Sequence, residues 1–265
     1  MGRYELEYPK DKDNSVKRYN QLASYSLRTI HGIVNSAQFV NLSFNPPNSP
    51  FPVILPMIGQ MGSFDRPSAD DGDPLDLYVH GYVSSRLMNL SRDGNGDGDG
   101  EHPAGMPVCA SATHVDGLVL ALSSFSHNYN YRSAILFGHA TLVQDPDEKL
   151  WAMELITNSV VPDRWRHSRL PVTSAELQST ALLKVRIASA SSKIRDGQAE
   201  DPRADLENEA AVGSIWTGVL PVHQTIGEPL PGPNNRVDLP GYIAEYRSSF
   251  NEDGREHSIN AANNK

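Results

Sequence analysis

Between Ser15 and Val34 the apolar residues Tyr19, Leu22, Ala23, Leu27, Ile30 and Val34 recur at helical spacing, so the pattern predicts a leading helix with one buried face. The period then changes to two. AQFVNLSF, PVILPMIG, DLYVHGYV, PVCASATHV and GLVLALSSF are short, rich in β-branched and aromatic residues, and separated by clusters of Pro, Gly, Asn and Asp. Those are the marks of strands joined by turns. Asp116-Gly117, between the last two, predicts a tight hairpin with the glycine at positive φ. YRSAILFGHATLV is apolar on both faces and reads as a central strand.

DPDEKLWAMELITNSV opens with Asp145 as N-cap, Pro146 at the first helical position and Glu148 closing a capping-box-like pair. In ALLKVRIAS, Leu183, Val185 and Ile187 alternate with Lys184 and Arg186, a strand with one face inward. SSRLMNL is a short helix. Six or seven strands with about three helices, joined by hairpins, predict a mainly β fold with flanking helices, its antiparallel sheet closed into a barrel. The expected organisation is a polar N-terminal tail (1–14), one domain (15–233) and a partly disordered C-terminal tail (234–265).

The stretch SRDGNGDGDGE begins an acidic insertion, residues 91–104, which tests a calcium reading. Asp93, Asn95 and Asp97 alternate and Gly98 is sixth, but position twelve is Ala104, where an EF-hand loop needs a bidentate glutamate. The run is therefore read as surplus surface chain, which costs little because loop-closure entropy grows only logarithmically with length. No metal site is expected. The chain has 265 residues, 38% of them apolar, and a formal net charge of −9. Such acidity leaves no basic stripe to release phosphate counterions, which argues against a nucleic-acid partner. A lone cysteine, Cys109, excludes internal disulfides. MGRYELEYPKDKDNS resembles neither a secretory signal nor a membrane anchor, and a cytoplasmic protein is expected.

Three clusters carry candidate chemistry. In YVHGYVSSRL a strand with His80 leads into Ser84, Ser85 and Arg86 at a helix start. Hydroxyls, a guanidinium and free N–H groups suit a phosphate; the alternative is that a serine merely caps the helix. NYNYRSAILFG places Tyr131, Arg132 and Ser133 where the central strand begins, and an arginine there needs either a ligand or a salt-bridge partner. SSKIRDG brings Lys193 and Arg195 to a strand end, and IWTGVLPV offers Trp216, as core or as a stacking surface.

In this order the clusters resemble the flavin-nucleotide-binding family related to pyridoxamine 5′-phosphate oxidase, over roughly Arg18 to Pro231. VDGLVLA and NYRS are its most specific blocks. Asp163 stands where the family usually has glycine. The resemblance implies the FMN-binding split β-barrel, and FMN bound at the interface of a homodimer. It also implies that Ser84, Ser85 and Arg86 hold the phosphate, that His80 and Leu55, Pro56, Met57 and Ile58 flank the ring system, and that Tyr131, Arg132, Ser133, Lys193, Arg195 and Trp216 complete the site. The expected function is an FMN-dependent oxidoreductase on a small organic substrate, pyridoxamine-phosphate-oxidase-like or a nitro or enone reductase, with His80 as catalytic proton donor. The alternative is a non-catalytic protein that stores or senses FMN.

Overall fold

The computed structural model describes residues 5–93 and 105–264, so residues 94–104 of the expected insertion lie outside the described residues. Two compact units are present: residues 1–113 with 133–193, and residues 114–132 with 194–265. In chain order, a 3-10 turn (Asn20–Leu22) is followed by β1 (Ala23–Ser24), α1 (Leu27–Asn35), β2 (Val40–Phe44), β3 (Val53–Met57), β4 (Gly59–Gly62), β5 (Asp76–Tyr82) and α2 (Arg86–Asp93). Then come β6 (Met106–Leu120), β7 (Asn128–Leu142), α3 (Pro146–Val160), α4 (Ser174–Ser179), β8 (Thr180–Arg195), α5 (Arg203–Leu206), α6 (Glu209–Val212), β9 (Gly218–Pro221) and α7 (Gly241–Asn263). The strand order is β3-β2-β6-β7-β8-β5-β4, with β1 on β8 and β9 on β6. The central place expected for YRSAILFGHATLV is the one β7 takes.

In the first unit the two ends of that order, β3 and β4, are separated by Ile58 alone. Neighbours in sequence thus sit at opposite edges of the sheet, and the sheet must curl until its edges meet without pairing. This is a split β-barrel. Gly59 marks the meeting: a Cβ there would lie 2.8 Å from Val40 Cγ2 and 2.9 Å from Val79 Cγ1, so β2 and β5 converge on a position with room only for hydrogen. Val40, Leu42 and Phe44 alternate along β2 as buried residues, and Leu77 and Val79 of β5 and Leu183 and Val185 of β8 are buried too. Tyr78 and Leu182, on the opposite faces of those strands, pack with Ala152 and Ile156 of α3. Both faces of β5 are covered as a result.

Asp145 caps α3 as the sequence predicts, accepting from the N–H groups of Asp147 and Glu148. Glu148, however, does not reach back to the cap. Its carboxylate accepts from Tyr78 Oη at 2.6 Å and from Lys184 Nζ at 2.8 Å, tying α3 to β5 and β8. The expected leading helix is shorter than its apolar pattern. Ser26 caps α1 by accepting from Thr29 N–H, and Ala23 and Ser24 pair with Lys193 and Ser192 instead of continuing the helix. A serine that bonds its own backbone competes with helix propagation, and here a strand partner decides the outcome. Asp163 holds φ 63°, the left-handed region that a glycine adopts without steric cost.

The second unit corrects two expectations. Asp116-Gly117 is not a turn, because β6 runs through it without a break. Gly117 is required for close approach: a Cβ there would meet Val219 Cγ1 of β9 at 2.7 Å. Asp116 is buried, and its two carboxylate oxygens accept from Arg132 Nε and Nη2 at 2.8 and 2.9 Å. Burial alone would push this carboxyl up, but the nearby His257 imidazole, 3.6 Å away, and the paired Arg132 guanidinium prevail and hold it far below the usual carboxylate range. Secondly, most of the C-terminal segment expected to be partly disordered is the helix α7. Its own residues supply little apolar surface, only Ser258, Ala261 and Ala262 being buried, and it is held largely through polar contacts. Gly197 N–H donates to Ala261 O at 2.7 Å, and Arg247 Nε to Gly227 O at 2.8 Å.

Two substitutions test these arguments. Gly59→Val should overpack the barrel closure and cost about 1–3 kcal/mol, read as a fall of several degrees in melting temperature; an unchanged melting point would mean that the edges do not close on Gly59. Asp116→Ala strips a buried guanidinium of its partner, a loss of about 3–5 kcal/mol for buried pairs, toward the low end here because the Arg132 side chain is 23% exposed. Denaturant titration of Asp116→Ala and of the double variant Asp116→Ala/Arg132→Met should show the second change restoring stability.

Candidate functional site

His80 lies near the end of β5, paired in register with Leu182 of β8. Beyond the strand the chain turns into α2, with Ser85 N–H donating to Tyr82 O at 2.9 Å. Ser85 Oγ accepts from Met88 N–H at 3.4 Å, so of the two serines it is Ser85 that caps the helix. Arg92 braces the turn from within α2, donating to Val83 O at 3.0 Å and Asn89 Oδ1 at 2.7 Å. Ser84 is exposed. Arg86, the first residue of α2, is exposed as well and has no hydrogen-bond or ion-pair partner among the described residues. A free guanidinium beside the N–H groups that a first helical turn leaves unpaired suits an anion.

Gly81 joins this loop to the apolar strand. A Cβ there would meet Met88 Cε at 3.0 Å, Met57 Cε at 3.6 Å and Ser85 Oγ at 4.0 Å. Met57 and the α2 loop therefore converge on the residue next to His80. Leu55 and Met57 share one face of β3 and Pro56 takes the other. Ile58 departs from the expected wall, since it packs against the Tyr78–Leu182 cluster. Among the described residues, His80 Nδ1 is a buried polar atom with no hydrogen-bond partner. Burial lowers the imidazole's pKa, which keeps the ring neutral at pH 7. A buried, unmet ring nitrogen is costly in a finished structure, and a polar atom of a ligand would satisfy it. With a free cation for a phosphate and a cradle that a Cβ would fill, these residues fit a flavin nucleotide.

The other expected residues divide between the units. In the first, Ser133 Oγ donates to Lys193 O at 3.2 Å, so these two are brought together. Tyr131, Arg132, Arg195 and Trp216 belong to the second. There Arg132 takes the salt-bridge alternative through Asp116. Arg195 donates to Asn130 Oδ1 and to Gln198 O. Trp216 is 63% exposed and so is not core. A cleft of about 220 Å³ in this unit is lined by Asp116, Arg132, Arg195, Asp196, His257 and Asn264, where Asp116 pairs with Arg132 and Asp196 accepts from Asn264. The sequence reading missed Gly81 and Asp116. A glycine inside a strand pattern signals a close approach, and that signal was available for Gly81. Asp116 was hidden by the resemblance of Asp-Gly to a turn. No helix among the described residues is long and apolar enough to cross a membrane, and no group of three or more metal-ligating side chains occurs among them.

Among solved structures, the chain is 27% identical to the flavocytochrome Anf3 from Azotobacter vinelandii, with a TM-score of 0.72, covering 91% of this chain and 99% of that one. It is 25% identical to a FAD and heme binding protein from Mycobacterium smegmatis, with a TM-score of 0.68, covering 85% of this chain and 97% of that one. No curated protein matches it. Residues 26–194, well over half of the chain, match the profile of the pyridoxamine 5′-phosphate oxidase family, and the chain belongs to that family.

Proposed function

We propose that the protein is an FMN-dependent oxidoreductase, acting as a homodimer on a small organic electrophile such as a nitro compound or an enone. The observation that carries this reading is the unpartnered His80 Nδ1 next to Gly81, where a side chain would meet Met88, Met57 and Ser85. Family membership and two flavin-associated relatives point the same way.

FMN supplies transfer of a hydride or of single electrons. The protein's part is placement. Arg86 and the first-turn N–H groups of α2 bind the phosphate, with the Ser84 and Ser85 hydroxyls beside them and the Arg92 brace holding the loop in shape. Leu55 and Met57 present an apolar wall that excludes water from one face of the ring system. His80, neutral and poorly solvated, holds a proton at a ring nitrogen and donates it where negative charge develops on the reduced substrate. Lys193 adds positive charge near the flavin. An apolar wall with few polar partners suits a small electrophile better than a phosphorylated amine.

Arg86→Ala should lower FMN affinity roughly a hundredfold, a few kcal/mol, because it removes a charge-assisted contact. Riboflavin, which lacks the phosphate, should lose far less. Fluorescence-quenching titrations of parent and variant with both ligands make the comparison, and equal FMN affinity in the two proteins would take Arg86 out of the site. A Soret band in the purified protein would extend the reading to a flavoprotein that also holds heme, as the Mycobacterium relative's description has it.

A further inference from the structure

The turn between β5 and α2 is fixed on both sides of one residue. Val83 N–H donates to Ser179 O, at the end of α4, at 3.1 Å, and Val83 O accepts from Arg92 Nη2 at 3.0 Å. Arg92 stands in the last turn of α2 and reaches back along the helix to make this contact. Its other terminal nitrogen, Nη1, donates to Asn89 Oδ1 at 2.7 Å, and Asn89 Nδ2 in turn donates to Ser84 O at 3.3 Å. Two successive carbonyls of the turn are thus held by side chains from further along α2.

A trans peptide plane carries its C=O and the following N–H in opposite directions, and among the described residues only Leu170-Pro171 is cis. With Val83 O turned to Arg92, Ser84 N–H points away from the flank of α2 that carries Asn89 and Arg92. Ser84 is exposed, and its N–H has no partner among the described residues. It joins those of Arg86 and Leu87, donors that a first helical turn leaves unpaired. A carbonyl turned the other way would set a partial negative charge beside the proposed flavin phosphate, where N–H groups are needed. Arg92 and Asn89 are both exposed, and hydrogen bonds to neutral acceptors add little to fold stability once an exposed arginine has lost its rotamer freedom. What this contact chiefly sets is the orientation of the turn.

We infer that Arg92 and Asn89 are positioning residues for the phosphate. By holding the Val83 and Ser84 carbonyls they turn Ser84 N–H outward as a further backbone donor, and so they set how strongly the protein prefers a phosphorylated flavin to riboflavin. The role rests on the phosphate site proposed at Arg86 and deepens it, since both residues act through the backbone of the turn. Position matters here, and charge does not. Lysine at 92 would keep the charge, but an ammonium lacks the planar fork that spans Val83 O and Asn89 Oδ1 together.

The test titrates the full chain with FMN and with riboflavin by fluorescence quenching, for the parent, Arg92→Ala, Arg92→Lys and Asn89→Ala. Arg92→Ala should weaken FMN binding about tenfold, the low end of the loss when a residue that orients a metal ligand is removed, and leave riboflavin unchanged. Arg92→Lys should recover little of that loss, and Asn89→Ala should show a smaller loss of the same kind. Equal losses for the two ligands would make Arg92 a residue of the fold alone and overturn the role. Full recovery by lysine would overturn it too, as would FMN affinity in Arg92→Ala equal to the parent's. Those outcomes leave the flavin reading standing. A parent that binds neither ligand overturns the flavin reading, and the role falls with it.

Discussion

Ile58 is the single residue between two strands that stand at opposite edges of one sheet. Chain connectivity makes those edges meet, and the rest of the first unit follows from that constraint. Gly59 admits Val40 and Val79 to the same small space. The same curl brings Met57, one residue before the crossing, alongside Gly81, whose chain neighbours are His80 and the start of the α2 loop. The candidate site is thus a consequence of how the barrel closes, and no long-range sequence motif is needed to assemble it.

Several charges of this acidic chain are committed to the fold. Glu148 with Lys184 and Tyr78, and Asp116 with Arg132, are partly or wholly buried and mutually satisfied, and they join elements of their own units. Arg132, although part of the NYRS block, thus has a structural partner, whereas Arg86 at the start of α2 has none among the described residues.

Strands and the α3 cap were legible because they depend on local signals: alternation along β2 and β8, two apolar faces on β7, and Asp145-Pro146 at a helix start. The length of α1 was not, since the same apolar spacing continues across Ser26 and only pairing with β8 ends the helix there. Asp-Gly usually marks a turn, and it took the close packing of β9 and the guanidinium of Arg132 to make it strand. The helix α7 has no broad apolar stripe to announce it, because small residues and backbone contacts fasten it. At the site, the grouping of His80 with Ser84, Ser85 and Arg86 could be read from adjacency. Its junction with Met57 depended on barrel closure, which is not written in spacing.

The central claim is that this barrel holds a flavin. The most direct measurement is the visible spectrum of the purified protein, followed by denaturation and mass analysis of whatever is released. The account predicts a yellow protein that releases FMN at about one molecule per chain. A colourless protein that acquires no flavin spectrum when incubated with FMN would contradict it.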